Sequence, residues 1–149
     1  MLYVKEHYAC LGHRHVNFYK QLAGYPNVRL ITPFANIHDL IKKSQAVIVL
    51  TSTTGFEALL HRKKVFVLGD VFYQFSKNVT KMNDVYNEWY KLWNTECDQT
   101  EEEVIRLLSA YYSELKTGNI LYESANYDSE DNIRNIYLSY LDVLHSYER

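Results

Sequence analysis

Apolar positions fall into two regimes along the chain. As far as residue 80, short apolar runs alternate with helical patterns. Leu2-Tyr3-Val4-Lys5 reads as a short strand. Residues 14–24 read as a helix with Val16, Tyr19 and Leu22, or Phe18 and Leu22, on its inner side, ended by Gly24 and Pro26. Val28-Arg29-Leu30-Ile31 is a second strand, closed by Pro33. Asn36 is placed to cap a short helix whose apolar side is Ile37, Leu40 and Ile41. Ala46-Val47-Ile48-Val49-Leu50 is a continuous apolar run, the pattern of a central strand covered on both faces. Thr54-Gly55-Phe56-Glu57 opens another helix, and Val65-Phe66-Val67-Leu68 is a fourth strand stopped by Gly69. Strand and helix in strict alternation predict a parallel α/β sheet of about four strands with helices on both faces.

Beyond residue 80 the period is helical. Met82, Val85, Tyr86, Trp89 and Trp93 fit one amphipathic helix over residues 81–93. Thr100 and Glu103 have capping-box spacing. After them Val104, Leu107, Leu108, Tyr111, Tyr112 and Leu115 form an apolar stripe, and Ile133, Ile136, Tyr137, Tyr140, Leu141 and Leu144 form another. At this spacing the tyrosines are expected in the core rather than on a sugar platform. The expected organisation is a single domain: a parallel core over residues 1–80 and a helical extension over 81–149 packed on it.

Composition narrows the class. With 149 residues, 47% of them apolar and 23% charged, the chain can bury one core and is not of disordered type. No apolar stretch is long enough to cross a membrane, and the first residues lack a secretory apolar region with a cleavage site. Cys10 and Cys97 make neither a disulfide framework nor a metal cluster. A cytoplasmic setting is expected, at most peripheral to the inner face of the membrane. Residues 1–80 hold 10 Lys/Arg against 4 Asp/Glu, and residues 81–149 hold 6 against 14. The basic half suits a phosphate-bearing ligand, while the net charge of -2 and dispersed cations argue against a nucleic-acid binder.

Two places carry candidate chemistry. Lys5-Glu6-His7 ends the first strand, and ligands of open α/β sheets bind at the carboxyl ends of strands. His7 can donate a hydrogen bond to a phosphate oxygen and Lys5 can add charge, although an isolated histidine is more often structural. Thr51-Ser52-Thr53-Thr54-Gly55 follows the buried strand and leads into a helix, setting hydroxyl and backbone donors where an anion is favoured. Gly55 lets the backbone come close to a ligand. Thr54 with Glu57 also fits a capping box, so Glu57 is either a cap partner or a carboxylate for the hydroxyls of a ribose. The turn is neither a Walker A loop nor a GxGxxG turn, and Ser52 is not in a nucleophile elbow. His13 and His15 lack a supporting metal cluster, so no metal and no resident cofactor is expected.

Taken in order, VKEH at 4–7, PNVRLITP at 26–33, AVIVLTSTTGFEALL at 46–60 and VFVLGDVFY at 65–73 resemble the capsule polysaccharide biosynthesis family. That family is similar to glycosyltransferases of the GT-B type, including transferases that use a CMP-activated acidic sugar such as Kdo. The resemblance implies a Rossmann-like fold, half of a GT-B enzyme. It implies that His7 and the hydroxyls of Ser52, Thr53 and Thr54 hold the phosphate of a nucleotide sugar, with Glu57 near the ribose or base. The family pattern has Pro where this chain has Tyr8, and Gly-Lys-Pro where it has Arg62-Lys63-Lys64. The first departure is expected to loosen the turn at His7, the second to alter only the turn before the last strand.

By the same resemblance the chain corresponds to the C-terminal half of such an enzyme, from its second strand onward. The expectation is a nucleotide-sugar-binding portion of a glycosyltransferase, without transferase activity alone and with no catalytic residue identified. The first strand of that domain is ordinarily central in the sheet. Without it, the two halves of the sheet either pair directly or borrow a strand, so self-association or a chain carrying the N-terminal domain is an expected partner. Two further readings are a non-catalytic interaction module using Tyr86, Trp89, Tyr90 and Trp93, and a small hydrolase or isomerase with His7 as general base.

Overall fold

Strand β1 (Leu2–Lys5) runs parallel to β2 (Val28–Ile31), with Leu2 opposite Val28 and Lys5 opposite Ile31. In the computed structural model, which describes residues 1–120 and 127–147, these two strands form a sheet of their own. A second parallel sheet has the order β3-β4-β5, built from β3 (Ala46–Val49), β4 (Lys64–Val67) and β5 (Val79–Lys81). The fold is therefore α/β with parallel strands, as the alternation predicts, but it has five strands in two sheets. The two halves are not paired with each other.

Helix α1 (Val16–Ala23) joins β1 to β2, α2 (Ile37–Lys43) joins β2 to β3, and α3 (Thr54–Leu60) joins β3 to β4. Asn36 caps α2 as expected, its side-chain oxygen accepting from the amides of His38 and Asp39. Val16 and Phe18 of α1 are exposed, and only Tyr19 and Leu22 of its expected inner set are partly covered.

The core of the first hundred residues centres on β4. Val65, Phe66 and Val67 are buried there with Ala58 and Leu59 of α3, Ile41 of α2, and Val71, Tyr73 and Met82. Strand β4 has a hydrogen-bonded neighbour on each edge, which is why three successive side chains can be covered on both faces. Before β4 the chain turns through Arg62, whose φ of 56° is left-handed. Its amide donates to the Leu59 carbonyl and that of Lys63 to the Ala58 carbonyl, closing the end of α3. This is the position at which the family pattern has glycine. The Arg62 guanidinium compensates by donating to the Gln99 carbonyl at 2.7 Å.

The predicted helix over 81–93 is not one helix. Val79–Lys81 is β5, Met82 is buried beneath it, and Asp84 then caps the four-residue helix α4 (Val85–Glu88), followed by a 3-10 turn over Trp89–Trp93. Three strand residues are too few to show a period of two, and Met82 falls by chance on the helical spacing of its neighbours.

By its internal packing the chain divides into two units, Met1–Thr100 and Glu101–Arg149. The second contains α5 (Glu101–Glu114) and α6 (Glu130–Tyr147). Of the predicted extension, residues 121–126 and 148–149 lie outside the described residues. Both stripes form on helices, but they are not core: Leu107 alone is buried, while Tyr111, Tyr112, Leu115, Ile133, Tyr137, Tyr140 and Leu144 are exposed. Polar fastening takes the place of apolar packing in this unit. The buried Asn132 side chain accepts from the Asn119 amide and donates to the carbonyls of Asn119 and Tyr127. Lys116 pairs with Asp142 at 2.5 Å.

Candidate ligand site at the carboxyl ends of the strands

The carboxyl end of β1 is organised by Glu6. Its carboxylate accepts from the Tyr19 hydroxyl and pairs with Arg14 at 2.5 Å, and the Arg14 guanidinium lies 5.0 Å from the Phe18 ring centre. The hydrogen bonds from Tyr19 and then Arg14 hold the Glu6 carboxyl below its ordinary value, and Glu6 in turn raises the Tyr19 phenol. Sequence reasoning placed no weight on this trio, because its members lie 8 and 13 residues from Glu6 and share no motif.

His7 follows, exposed and in extended backbone. Its Nδ1 accepts from the Ala9 amide at 3.2 Å, so the neutral ring carries its proton on Nε2, directed away from that bond. The ring stacks on Tyr8 at 4.5 Å, and the turn is closed by Cys10 N–H to the His7 carbonyl at 2.9 Å. With Tyr8 in place of proline, the contacts at the His7 ring are this side-chain cap and the stacking on Tyr8. His15 plays the same capping part for α1, accepting from the Asn17 amide. Among the described residues no group of three or more His, Cys, Asp or Glu side chains is placed to hold a metal ion.

At the end of β3 the hydroxyl turn has its own internal bonding. Ser52 Oγ accepts from the Thr54 amide at 3.2 Å and lies 3.1 Å from Thr54 Oγ1. The Ser52 carbonyl accepts from the Gly55 amide and from the Tyr73 hydroxyl, the latter at 2.5 Å. Tyr73 is buried, which raises its phenol. Its ring occupies the space over Gly55: a methyl group at residue 55 would stand 2.8 Å from Tyr73 Cζ and closer still to the hydroxyl. The close approach that Gly55 permits is thus made by Tyr73. The signal for Tyr73 lay in VFVLGDVFY, but the motif alone did not tell which aromatic side chain turns inward.

The expected capping box of Thr54 and Glu57 does not form. Thr53 is the residue at the helix start, in helical backbone and without a side-chain cap, and Thr54 is already in the helix. The reason is that Ser52 Oγ takes the Thr54 amide first. Glu57 is left with its Oε2 buried and unpartnered. One turn on, His61 Nε2 is 3.3 Å from His38 Nδ1; burial, then Lys42 and His38, lower the His61 pKa.

The structure thus brings Ser52, Thr53, Thr54, Gly55 and Glu57 together on one turn and the helix it opens, and places Lys5 and His7 at the end of β1. Both groups lie at carboxyl ends of parallel strands, but β1 and β3 belong to different sheets. No hydrogen bond joins Lys5 or His7 to these five residues.

These features define a parallel α/β protein with a hydroxyl-rich turn and a histidine at the carboxyl ends of its strands. The chain belongs to the capsule polysaccharide biosynthesis protein family, whose model matches residues 1–128. No curated protein and no solved structure gives a significant match. Membership gives the chain its role in capsule polysaccharide synthesis. Among the described residues no helix is long and apolar enough to cross a membrane.

Proposed function

We propose that this chain is the nucleotide-sugar-binding portion of a capsule polysaccharide glycosyltransferase and transfers no sugar alone. The donor phosphate rests on His7 Nε2–H and on the hydroxyls of Ser52, Thr53 and Thr54, and Lys5 adds positive charge. Glu57 accepts from the ribose or base of the nucleotide, with a CMP-linked donor as the first candidate. In the assembled enzyme, charge builds on the phosphate as the sugar departs, and donors fixed beforehand stabilise it. We place this activity in the cytoplasm, at most peripherally at the inner membrane face, with a chain carrying the N-terminal domain as partner.

The observation that carries the reading is the unpartnered, buried Oε2 of Glu57 just beyond the hydroxyl turn. A buried acceptor without a donor is costly, and a ligand hydroxyl offsets that cost. Melting with CMP, CDP and UDP tests it. A nucleotide at 100 times its dissociation constant stabilises the fold by about 2.7 kcal/mol. The shift is expected to disappear in His7→Ala and Ser52→Ala and to shrink in Glu57→Gln. No shift with any of the three nucleotides overturns the reading.

One observation favours a second reading, a non-catalytic interaction module. Tyr86 and Trp93 are 92% and 77% exposed, and Trp89 and Tyr90 beside them are also exposed. Such rings are enriched at protein interfaces. Absence of every nucleotide shift, with partner capture lost in Trp93→Ala, distinguishes this module from the donor site.

A further inference from the structure

Two histidines meet outside the candidate ligand site, across a separation of 23 residues. His38 is in the first turn of α2, the helix that joins the two-stranded sheet to the three-stranded one, and His61 closes the end of α3. Their facing nitrogens, His38 Nδ1 and His61 Nε2, are 3.3 Å apart, and the ring centres 5.4 Å. The backbone fixes both rings. Asn36 accepts from the amides of His38 and Asp39, and the His61 amide donates to the carbonyls of Glu57 and Ala58.

Proton counting shows what this pair tolerates. With one hydrogen between the facing nitrogens, one ring donates and the other accepts. One added proton is accommodated, because a cationic ring still donates to a neutral one. A second is not: both facing nitrogens then carry hydrogen, the bond is lost, and two like charges stand together. Lys42 of α2 and Lys63 after α3 add positive charge at His61, and the Lys63 ammonium is held there by donating to the Lys42 carbonyl at 2.9 Å. Glu57, one turn back on α3, opposes them. Asp39 adjoins His38 in the chain, β3 has no titratable side chain, and Arg62 and Lys64 are bonded to the carbonyls of Gln99 and Lys77. Burial first, then Lys42 and His38, lower the His61 pKa from 6.5.

We propose that the His38–His61 pair is an acid-released latch, which fastens the first turn of α2 to the end of α3 and lets it go when both imidazoles are protonated. An imidazole whose pKa is depressed in the closed latch binds its proton more readily in the open one. The fastening is therefore complete above 6.5 and is lost as pH falls through the lower closed-state value. Release is confined to the first turn, because the far end of α2 is held by the buried Ile41 and by Lys63. A nucleotide held as proposed above draws on both sheets, so release loosens the connection between the two halves of its site. That consequence rests on the donor-site reading; the latch does not, and its test contains no nucleotide.

Amide hydrogen exchange of the full chain, resolved by residue and corrected for its intrinsic pH dependence, tests the latch. The probes are the amides of residues 38, 39 and 40, which Asn36 holds, against Val65, Phe66 and Val67 of β4. From about pH 7.5 to about pH 5 the three α2 amides are expected to accelerate about tenfold while the β4 amides keep their rates. In His38→Gln and in His61→Gln the acceleration is expected to vanish, because one remaining imidazole meets no second cation. Ring resonances followed over the same range should show the pair titrating in two steps, with His61 moving back toward 6.5 in His38→Gln. Unchanged α2 exchange in the unsubstituted chain overturns the proposal, as does acceleration that persists in either variant. Acceleration of β4 in step with α2 overturns the local release. A His61 titration that His38→Gln leaves unmoved overturns the pairing itself.

Discussion

The two sheets of the first unit are made from similar strands and are stabilised differently. In the three-stranded sheet, β4 has a neighbour on each edge and buries three consecutive side chains. In the two-stranded sheet neither strand is interior, and Val28 is its one buried residue. Leu2, Tyr3 and Leu30 stay exposed although their sequence is as strand-like as that of β4. Strand propensity is therefore not what separates the halves. Interior position is, because side chains in a parallel sheet are covered only where strands lie on both sides and helices lie above and below. The two-stranded half relies instead on polar fastening by Glu6, Arg14 and Tyr19.

The largest test of this contrast compares truncations in the two halves. Phe66→Ala removes a ring that is 1% exposed, and is expected to cost about 3–5 kcal/mol. Tyr3→Ala, in a strand of the same length, is expected to cost less than about 0.5 kcal/mol. Urea midpoints of the two variants measure both. Similar losses would mean that the two-stranded half is covered in solution after all.

The next effect lies where the three-stranded half meets the hydroxyl turn. Gly55→Ala drives a methyl group into the buried ring of Tyr73 and is expected to cost about 1–3 kcal/mol. Tyr73→Phe removes only the hydroxyl bond to the Ser52 carbonyl, which keeps the Gly55 amide as a donor, and is expected to cost about 1 kcal/mol. Tyr73→Phe removes the hydroxyl, the atom nearest the added methyl, but leaves the ring carbons in its way, so the Gly55→Ala cost should shrink in that background without vanishing, as thermal melts of the double variant would show.

How much of this was legible follows from the range of the interactions involved. The runs at 46–50 and 65–68 announce β3 and β4, and Asn36 announces α2, because strand patterns and caps are encoded within a few residues. The break between the sheets was visible only as an alternative, since pairing joins residues far apart in the chain. Tyr73 locking the Ser52 turn is a contact across 21 residues and has no local signature. The stripes of α5 and α6 show the opposite failure: the helical period is present, but period alone does not say whether a second layer covers the face. At the candidate site, the hydroxyl turn and His7 were legible as residue types. Glu57 was legible too, but its sequence left capping and ligand binding open; Ser52 takes the Thr54 amide, and the Glu57 Oε2 is left without a partner.

A smaller effect is expected at the turn into β4. Arg62 holds a left-handed conformation, which costs a non-glycine residue about 1 kcal/mol. Its bond to the Gln99 carbonyl returns about the same amount. Arg62→Gly loses both terms and should leave stability within about 0.5 kcal/mol of the original. Arg62→Ala loses the bond and keeps the strain, so it should cost about 1 kcal/mol. Denaturant titration of the pair separates backbone strain from the side-chain bond; equal midpoints would mean that the conformation at residue 62 carries no penalty.

The smallest effect belongs to the two-stranded half and is pH-dependent. Glu6 is held below its ordinary value of 4.5, first by the Tyr19 hydroxyl and then by Arg14. A carboxyl whose folded pKa is depressed binds its proton more readily in the unfolded chain. Its contribution to stability is therefore complete above 4.5 and is lost as pH falls through the lower folded value. The Arg14 partner is half-exposed, so solvent screens the pair and the global loss is small. The local loss is easier to read. On acidification from about pH 6 to about pH 3, exchange of the amides of residues 7–15, corrected for its intrinsic pH dependence, should accelerate before that of β4. Glu6→Gln should abolish the acid dependence in this segment, and Tyr19→Phe should weaken it. If residues 7–15 and β4 instead loosen together at one pH, the ends of the two sheets open as one cooperative unit, and the division between a packed half and a fastened half does not hold in solution.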